Sequence, residues 1–503
     1  MRKKRQTRDI SPLSPAHSGQ LKFNDEQLNG LRSRVVGRIV LPQDSSYTSD
    51  RAAFMSAFQH FPQIICYCAG ASDVVACLRF AKDVGLHVAC RSGGHSTAGY
   101  SVNDEMVVDL SALSYVRVDP AGRTAAVGAG TNFALLNAEL DRCDLHIPGG
   151  GCETVCVAGY MQGGGYGFTS LLFGMNCDQV IDVQVALANG QVVHANRKEH
   201  EDLFWAVRGG TGNNFGVLLE IDYRLHALGP LWGFGFKWRL TTASEARAAT
   251  HALATWQAHF TGSSAPPNLG HQAMLVYTKD AGDKDLAPYF VVRGMFNGFE
   301  ADCRAALEPL LALPHAERRR DIWRQGKYRE LNEYLLHFPT EMPGNVPASA
   351  RSLAKSHIVD RHLTTAQWAP VVDLYRALAN SDSFIGLEAY GGAINAVAQD
   401  ATAYWHRRSM LDVDLFAFWM YESDRGGAES FLKDFDRVLL PLSSGHSYQN
   451  YPNRDQLDFG RRYFGGNLER LVEVKRRYDP DDLFSFPQGL LRASVAPSKA
   501  DVS

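Results

Sequence analysis

The chain has 503 residues, of which 45% are hydrophobic and 21% charged, and its formal net charge is -3. A single core stops growing well below this length, so two or three packed units are expected. The near-neutral charge offers no electrostatic footing for nucleic acid or an anionic membrane, and no run of about 18 apolar residues exists to span a bilayer. The start, MRKKRQTRDISPLSPAHSG, is basic but lacks the apolar run of a signal peptide, so residues 1–30 read as a disordered lead and the protein as cytoplasmic. Nine cysteines fall between Cys66 and Cys303. An odd number without export signal or paired metal-ligand spacing argues for reduced, buried thiols and against a disulfide scaffold or a metal centre.

In chain order, Ser72 reads as the cap of a helix whose Val74, Leu78 and Ala81 share a face, stopped by Gly85. The apolar run from His87 to Cys90 suits a buried strand that delivers the chain into RSGGHS, residues 91–96. Short strands follow at residues 106–110, 115–120 and 124–130, and then a helix capped by Thr131. Residues 149–174 are dense in glycine, residues 182–195 alternate around an Asn-Gly pair as a hairpin does, and a second glycine cluster occupies residues 202–225. After residue 228 glycines thin out and longer helical patterns appear. HAERRRD, residues 315–321, reads as a solvated helix face. Near residue 444 a loop precedes an amphipathic helix whose stripe is Leu468, Leu471 and Val474 and whose end comes before Pro480.

Three glycine-rich segments suggest a nucleotide-type cofactor, because backbone N–H groups without side chains in the way can cradle a pyrophosphate. GGGYG lacks the G-x-G-x-x-G spacing of a Rossmann fingerprint, and no acidic residue is clearly placed about 20 positions later. In order, the helix at 72–84, RSGGHS, GCETVCVAGYMQGGGYG, FWAVRGGTGNNFGV and YFGGNLERLVEVKRRYDPDDLFSFPQ resemble the berberine bridge enzyme-like flavoprotein oxidases of the vanillyl-alcohol oxidase superfamily. The resemblance covers roughly residues 60–230 and 445–490, and is loose between them.

That resemblance implies an α+β, two-domain fold with a PCMH-type FAD-binding domain and an antiparallel-sheet substrate domain. The implied boundaries are 31–228 for the FAD domain, 229–443 for the substrate domain, 444–492 for a segment returning to the FAD domain, and 493–503 for a tail. It implies FAD joined covalently to His95 at the 8α-methyl carbon, by attack of a neutral imidazole, and a second bond from a cysteine to flavin C6. Counting back from Gly163 selects Cys152, with Cys156 its rival. Cofactor contacts are expected from Arg91, Ser92, Gly93, Gly94 and Ser96; from Val155, Val157, Gly159, Gly163, Gly164, Gly165 and Gly167; and from Gly212, Asn213, Phe215, Gly216, Val217 and Asn450. Valine at 155 stands where the family's oxygen-reactive members leave room beside the flavin.

The implied reaction removes a hydride from an alcohol or similar C–H donor (a sugar, oligosaccharide or secondary metabolite) and reduces O2 to H2O2. A base must take the hydroxyl proton, since an alkoxide is the better hydride donor. In the segment Tyr448-Gln449-Asn450-Tyr451, Tyr451 is the candidate base and Tyr448 lines the site. An unperturbed phenol near pKa 10 is a poor base at neutral pH, so a neighbouring acid is expected to lower it. Glu388 or Tyr390 in FIGLEAYGG is the expected supplier by alternation, with Asp412 and Asp414 as rivals. Trp405, Phe416, Phe418, Trp419 and Tyr421 could floor a cleft or fill a sheet core.

Overall fold

The computed structural model describes residues 21–279, 284–314, 318–338, 351–378 and 382–493. Up to residue 227 the described residues form eleven strands. β1 (Arg38–Val40), β2 (Ile64–Tyr67), β3 (Val88–Arg91) and β4 (Met106–Asp109) form a sheet in the order β1-β2-β4-β3, parallel except for β1. β5 (Val116–Asp119), β6 (Thr124–Gly128), β8 (Val180–Ala186), β9 (Val192–Asn196) and β10 (Val217–Arg224) form an antiparallel sheet ordered β5-β6-β10-β8-β9. β7 (Leu145–His146) pairs with β11 (His226–Ala227). Among the described residues no helix is long and apolar enough to cross a membrane.

Local chemistry explains these elements. The helix Ala71–Val84 ends where Gly85 adopts φ 67°, the left-handed cap that the sequence predicts. Its start differs from expectation: the cap position is Gly70, with no side-chain cap, and Asp73 in the first turn binds the chain outside the helix. The Asp73 carboxylate accepts from the backbone N–H of Ala69, Val36 and Gly37 at 2.9, 3.0 and 2.9 Å, tying β1's approach to the helix. The next helix, Phe133–Asp141, is capped by Asn132 rather than Thr131, because the Asn132 side chain accepts from Leu135 N–H at 3.0 Å. The expected hairpin is present as β8 and β9. All nine cysteines are free thiols, and most are buried.

The lead expected over residues 1–30 is shorter than that. Residues 1–20 lie outside the described residues, but Asp25–Arg32 is a helix whose Asn24 and Gln27 form a reciprocal capping box and whose Leu28 and Leu31 are buried. The expected tail lies outside the described residues from 494 onward.

The remaining seven strands build one antiparallel sheet: β12 (Leu231–Arg239), β13 (Leu269–Thr278), β14 (Ala287–Asn297), β15 (Arg318–Gly326), β16 (Arg351–Val359), β17 (Phe384–Ala389) and β18 (Leu411–Trp419), ordered β15-β12-β14-β13-β17-β18-β16. The charged run at 315–321 is therefore corrected. Residues 315–317 lie outside the described residues, and Arg318 onward extends as edge strand β15, where pairing with β12 outweighs the run's helical composition. Strand alternation sorts β18 into two faces. Leu411, Val413, Leu415, Ala417 and Trp419 alternate with Asp412, Asp414, Phe416 and Phe418, and the helix Arg425–Leu439 packs on β16 and β18.

The chain after β18 returns to the first half. Gln449 donates to the carbonyl of Gly209 at 2.9 Å, Leu490 N–H reaches Asn214 Oδ1 at 3.1 Å, and Val88 N–H reaches the Leu483 carbonyl at 2.9 Å. A buried ion pair, Arg407 to Asp178 at 2.6 and 2.8 Å, ties the 395–410 loop to the same half. Asp73→Ala leaves three partly buried N–H groups without their charged acceptor. It should cost about 2 kcal/mol in denaturant unfolding; an unchanged midpoint would show that water replaces the carboxylate.

Candidate active site

Three loops and one sheet face meet at the site. β3 runs into the RSGGHS loop, where Gly94 takes φ 71° so that the chain turns back at His95. The imidazole stacks on Phe54, centroids 4.1 Å apart, and its Nε2 lies 3.0 Å from Thr154 Oγ1. Cys152 Sγ lies 3.3 Å from the same hydroxyl. Thr154 therefore brings His95 and Cys152 to one point. Burial, only partly opposed by Thr154, lowers His95 to about 4, which leaves the ring neutral at physiological pH.

The two candidate cysteines differ physically. Cys152 is exposed. Cys156 is buried under Gly93, donates to the Gly130 carbonyl at 3.3 Å, and has its thiol pushed up to about 12 by burial. A neutral, hydrogen-bonded thiol is a poor nucleophile, so the geometry favours Cys152.

The His95 loop is joined to the C-terminal segment. Thr97 Oγ1 donates to the carbonyl of Pro452 at 3.4 Å, and Arg454 Nε donates to that of Ala98 at 2.6 Å. Tyr451 is thereby set beside the loop. Its hydroxyl donates to Glu388 Oε1 at 2.9 Å, and its ring meets Phe416 edge-on at 5.2 Å. Tyr448 behaves differently: its phenol oxygen accepts from Gly165 N–H and from Asn450 Nδ2, both at 3.0 Å.

Behind Tyr451 stand three buried carboxylates. Glu388 on β17 faces Asp412 on β18 across the ladder, and Asp414 lies two residues on. Carboxylate oxygens of all three lie within 4.8 Å of one another. Ser356 on β16 donates to Asp412 at 2.7 Å and accepts from Tyr448 N–H at 2.7 Å. Among the described residues no Lys, Arg or His pairs with the group. Burial raises Glu388 and Asp414 well above the carboxylate range, with Asp412 adding repulsion to both. Burial also lifts Asp412 to about 6, where Ser356, Asp414 and the Val413 backbone restrain it. The expectation that an acid lowers Tyr451 is corrected: burial first, and Glu388 second, push its phenol well above 10. Burial among acids disfavours a phenolate, so Tyr451 stays protonated and donates its hydroxyl hydrogen bond to Glu388.

Several expected cofactor contacts are occupied otherwise. Arg91 is committed to Asp109 at 2.5 Å, the Asp50 carbonyl and Tyr67. A side chain at Gly163 would strike Asn450, at Gly164 Tyr404, at Gly165 Tyr160 and at Gly167 the Gly149 carbonyl, so these glycines admit the protein's own groups. Val157, Phe215 and Val217 are core residues, and Gly216 fits under the Ala186 carbonyl. Asn213 accepts from Cys90 N–H at 2.7 Å and donates to the Tyr100 carbonyl, bracing the loop. Ser96 accepts from Tyr100 N–H. Gly159 is exposed with open space around it, and Ser92, Val155 and Gly212 are part-exposed, so these four positions leave room for a ligand.

Tyr390 is not with Tyr451. Its hydroxyl meets that of Tyr404 at 2.7 Å and its ring stacks on Tyr166. Of the aromatic candidates, Phe416 and Phe418 are part-buried on the carboxylate face and stack with Phe384, whereas Trp419 is buried, Tyr421 is exposed, and Trp405 packs on Gly465 and Gly466. Thr154, Ser356, Tyr404 and Phe54 were not expected. Thr154 had a signal, since alternation places it beside Cys152; Phe54 had none.

This arrangement, a neutral histidine and an exposed thiol at one end and a tyrosine–carboxylate pair at the other, is that of an FAD-linked oxidoreductase. The family model described as "FAD binding domain" matches residues 62–196, and "Berberine and berberine like" matches 447–490. Berberine bridge enzyme-like 12 of Arabidopsis thaliana is 30% identical over 494 residues, covering 90% of each chain, and the chain belongs to the berberine bridge enzyme-like family. An uncharacterized FAD-linked oxidoreductase, YgaK of Bacillus subtilis (strain 168), is 24% identical over 92% of this chain and 99% of its own. BBE-like 1 of Physcomitrella patens superposes with a TM-score of 0.81 at 26% identity, over 92% of this chain and 98% of that one. A chitooligosaccharide oxidase superposes at 0.78 with 22% identity, over 92% and 99%, a likeness of fold.

The Tyr390–Tyr404 contact gives a test of its structural role. Tyr390→Phe or Tyr404→Phe alone leaves a buried hydroxyl without its partner and should cost about 1–3 kcal/mol, whereas the double variant should cost less than the sum. Additive costs in a double-mutant unfolding cycle would remove the coupling.

Proposed function

We propose that the protein is an oxidase whose FAD is held by residues 31–228 and 444–492, with the substrate side supplied by residues 229–443. The carrying observation is the Tyr451–Glu388 hydrogen bond of 2.9 Å, set beside the His95 loop by Thr97 and Pro452. The bound flavin supplies a two-electron acceptor for hydride and a route to O2, with H2O2 as product.

The chain's own groups do the rest. The neutral His95 ring has a free electron pair for the 8α-methyl carbon, and Cys152 lies next to it for C6. Tyr451 takes the substrate's hydroxyl proton on its phenol oxygen while passing its own hydrogen to Glu388 Oε1, so the pair acts as one base and no free phenolate forms. Tyr448 is held by the two hydrogen bonds to its oxygen and lines the same wall. The part-exposed Val155 supports access for O2, and the reading of substrates as alcohols rests on this base and on the family.

After acid unfolding of the holoenzyme, flavin should stay with wild-type protein and with Cys156→Ser. It should be lost partly in His95→Ala and in Cys152→Ala, and fully in the double variant; complete release from wild type refutes covalent attachment. Screening alcohols, oligosaccharides and aromatic polyketides for peroxide in air, against dye reduction under argon, separates an oxidase from a dehydrogenase. With a substrate in hand, Tyr451→Phe should slow flavin reduction about 10^2–10^4-fold.

A further inference from the structure

The Tyr451–Glu388 pair does not end the chain of proton-holding groups. Glu388 Oε2, Asp412 Oδ2 and Asp414 Oδ1 are buried and have no hydrogen-bond partner outside the cluster. Exposures of 6%, 0% and 2% for Glu388, Asp412 and Asp414 leave water no broad access. Three carboxylates this close, with no Lys, Arg or His paired to them among the described residues, cannot all be ionised by themselves: at low dielectric each added charge is strongly opposed by the others. The Tyr451 phenol touches the cluster, and the buried phenols of Tyr448, Tyr160, Tyr166, Tyr390 and Tyr404 lie within its electrostatic reach; burial and the acids keep them neutral.

The three acids are not equivalent. Asp412 receives a hydroxyl hydrogen bond from Ser356, which Tyr448 N–H fixes in place and which takes no part in the reaction, whereas the hydroxyl on Glu388 is that of Tyr451, the group that moves its hydrogen in the reaction. The Ser356 donor stabilises the ionised form, so the cluster's single negative charge belongs on Asp412, with protons on Glu388 and Asp414. We propose that Asp412 is the terminal acceptor of the proton that Tyr451 removes from substrate, reached through Glu388. The substrate O–H bond breaks as a new bond forms at the Tyr451 oxygen. Tyr451's own hydrogen moves to Glu388 Oε1, and the hydrogen on Glu388 Oε2 moves to Asp412 Oδ2, across a gap that a rotation or one water spans. Charge balances: Asp412 is neutralised, and the electron pair leaves the substrate carbon with its hydrogen. When the electrons pass on to O2, the proton returns by the same route to the product. Asp412 never touches substrate; it acts through Glu388.

The proposal rests on the oxidase reading, but its test needs no substrate. Infrared spectra of the holoenzyme follow the carbonyl stretch of protonated carboxyls while the bound flavin is reduced anaerobically by light at pH 7.5. The added negative charge on the cofactor should protonate Asp412, so wild type gains a carboxyl band and loses a carboxylate band. Asp412→Asn and Glu388→Gln should each show neither change. No gain in wild type, or an equal gain in either variant, overturns the relay. In a pH titration of the same bands, Ser356→Ala should move the Asp412 midpoint upward by about one unit, because a hydrogen bond to the charged form is lost. An unmoved midpoint counts against Asp412 as the charged member, and this second measurement decides even if Asp412→Asn fails to fold. Purified protein without flavin absorbance would sink the oxidase reading separately, while the titration would still report on the acids.

Discussion

Tyr451 donates its hydroxyl hydrogen to Glu388, and that contact depends on the C-terminal segment returning across the first half of the chain. The anchors that carry it are spread along its length: Gln449 on Gly209, Asn450 on Tyr160, Pro452 on Thr97, Arg454 on Ala98, and Leu490 on Asn214. Three use backbone carbonyls of the first half, groups that need partners once buried, and two use the side chains of Thr97 and Asn214. The segment satisfies those groups and, in the same passage, places its two tyrosines against the seven-stranded sheet.

A second constraint follows from burial without compensation. Among the described residues several buried charges are paired, as Arg407 with Asp178, Arg91 with Asp109, and Lys475 with Asp479 at 2.5 Å. The three acids behind Tyr451 are not. An uncompensated cluster costs folding free energy, and such costs recur where chemistry needs a group with a displaced pKa. Protons on the acids would hold that cost down, because a protonated carboxyl carries no charge to desolvate.

Much was legible from sequence because the reading relied on residues whose chemistry is local. Gly85 as a left-handed cap, the Asn-Gly hairpin, the RSGGHS loop at a strand end and the alternation that turns Glu388 toward Tyr451 all follow from φ preferences and the two-residue strand period. Errors arose where a residue's partner lies far along the chain. Ser72 and Thr131 are plausible caps, yet the first helix starts from Gly70 with Asp73 turned to Val36 and Gly37, and the Thr131 hydroxyl is taken by the Tyr115 backbone. Residues from Arg318 onward form an edge strand because β12 is there to pair with. The glycines at 163–167 do yield close approach, but to Asn450, Tyr404, Tyr160 and Gly149.

By itself the sequence determined the mixed α+β class, the order of the motifs, the histidine loop and the tyrosine pair, since each is encoded within a few consecutive residues. Only the tertiary structure distinguishes Cys152 from Cys156, because burial and Thr154's position separate two thiols four residues apart. It also moved Tyr390 away from the site and gathered Glu388, Asp412 and Asp414 into one cluster. Strand alternation states which way a side chain points, whereas sheet register and the return of a distant segment state what it meets, and the acidity of these groups depends on what they meet.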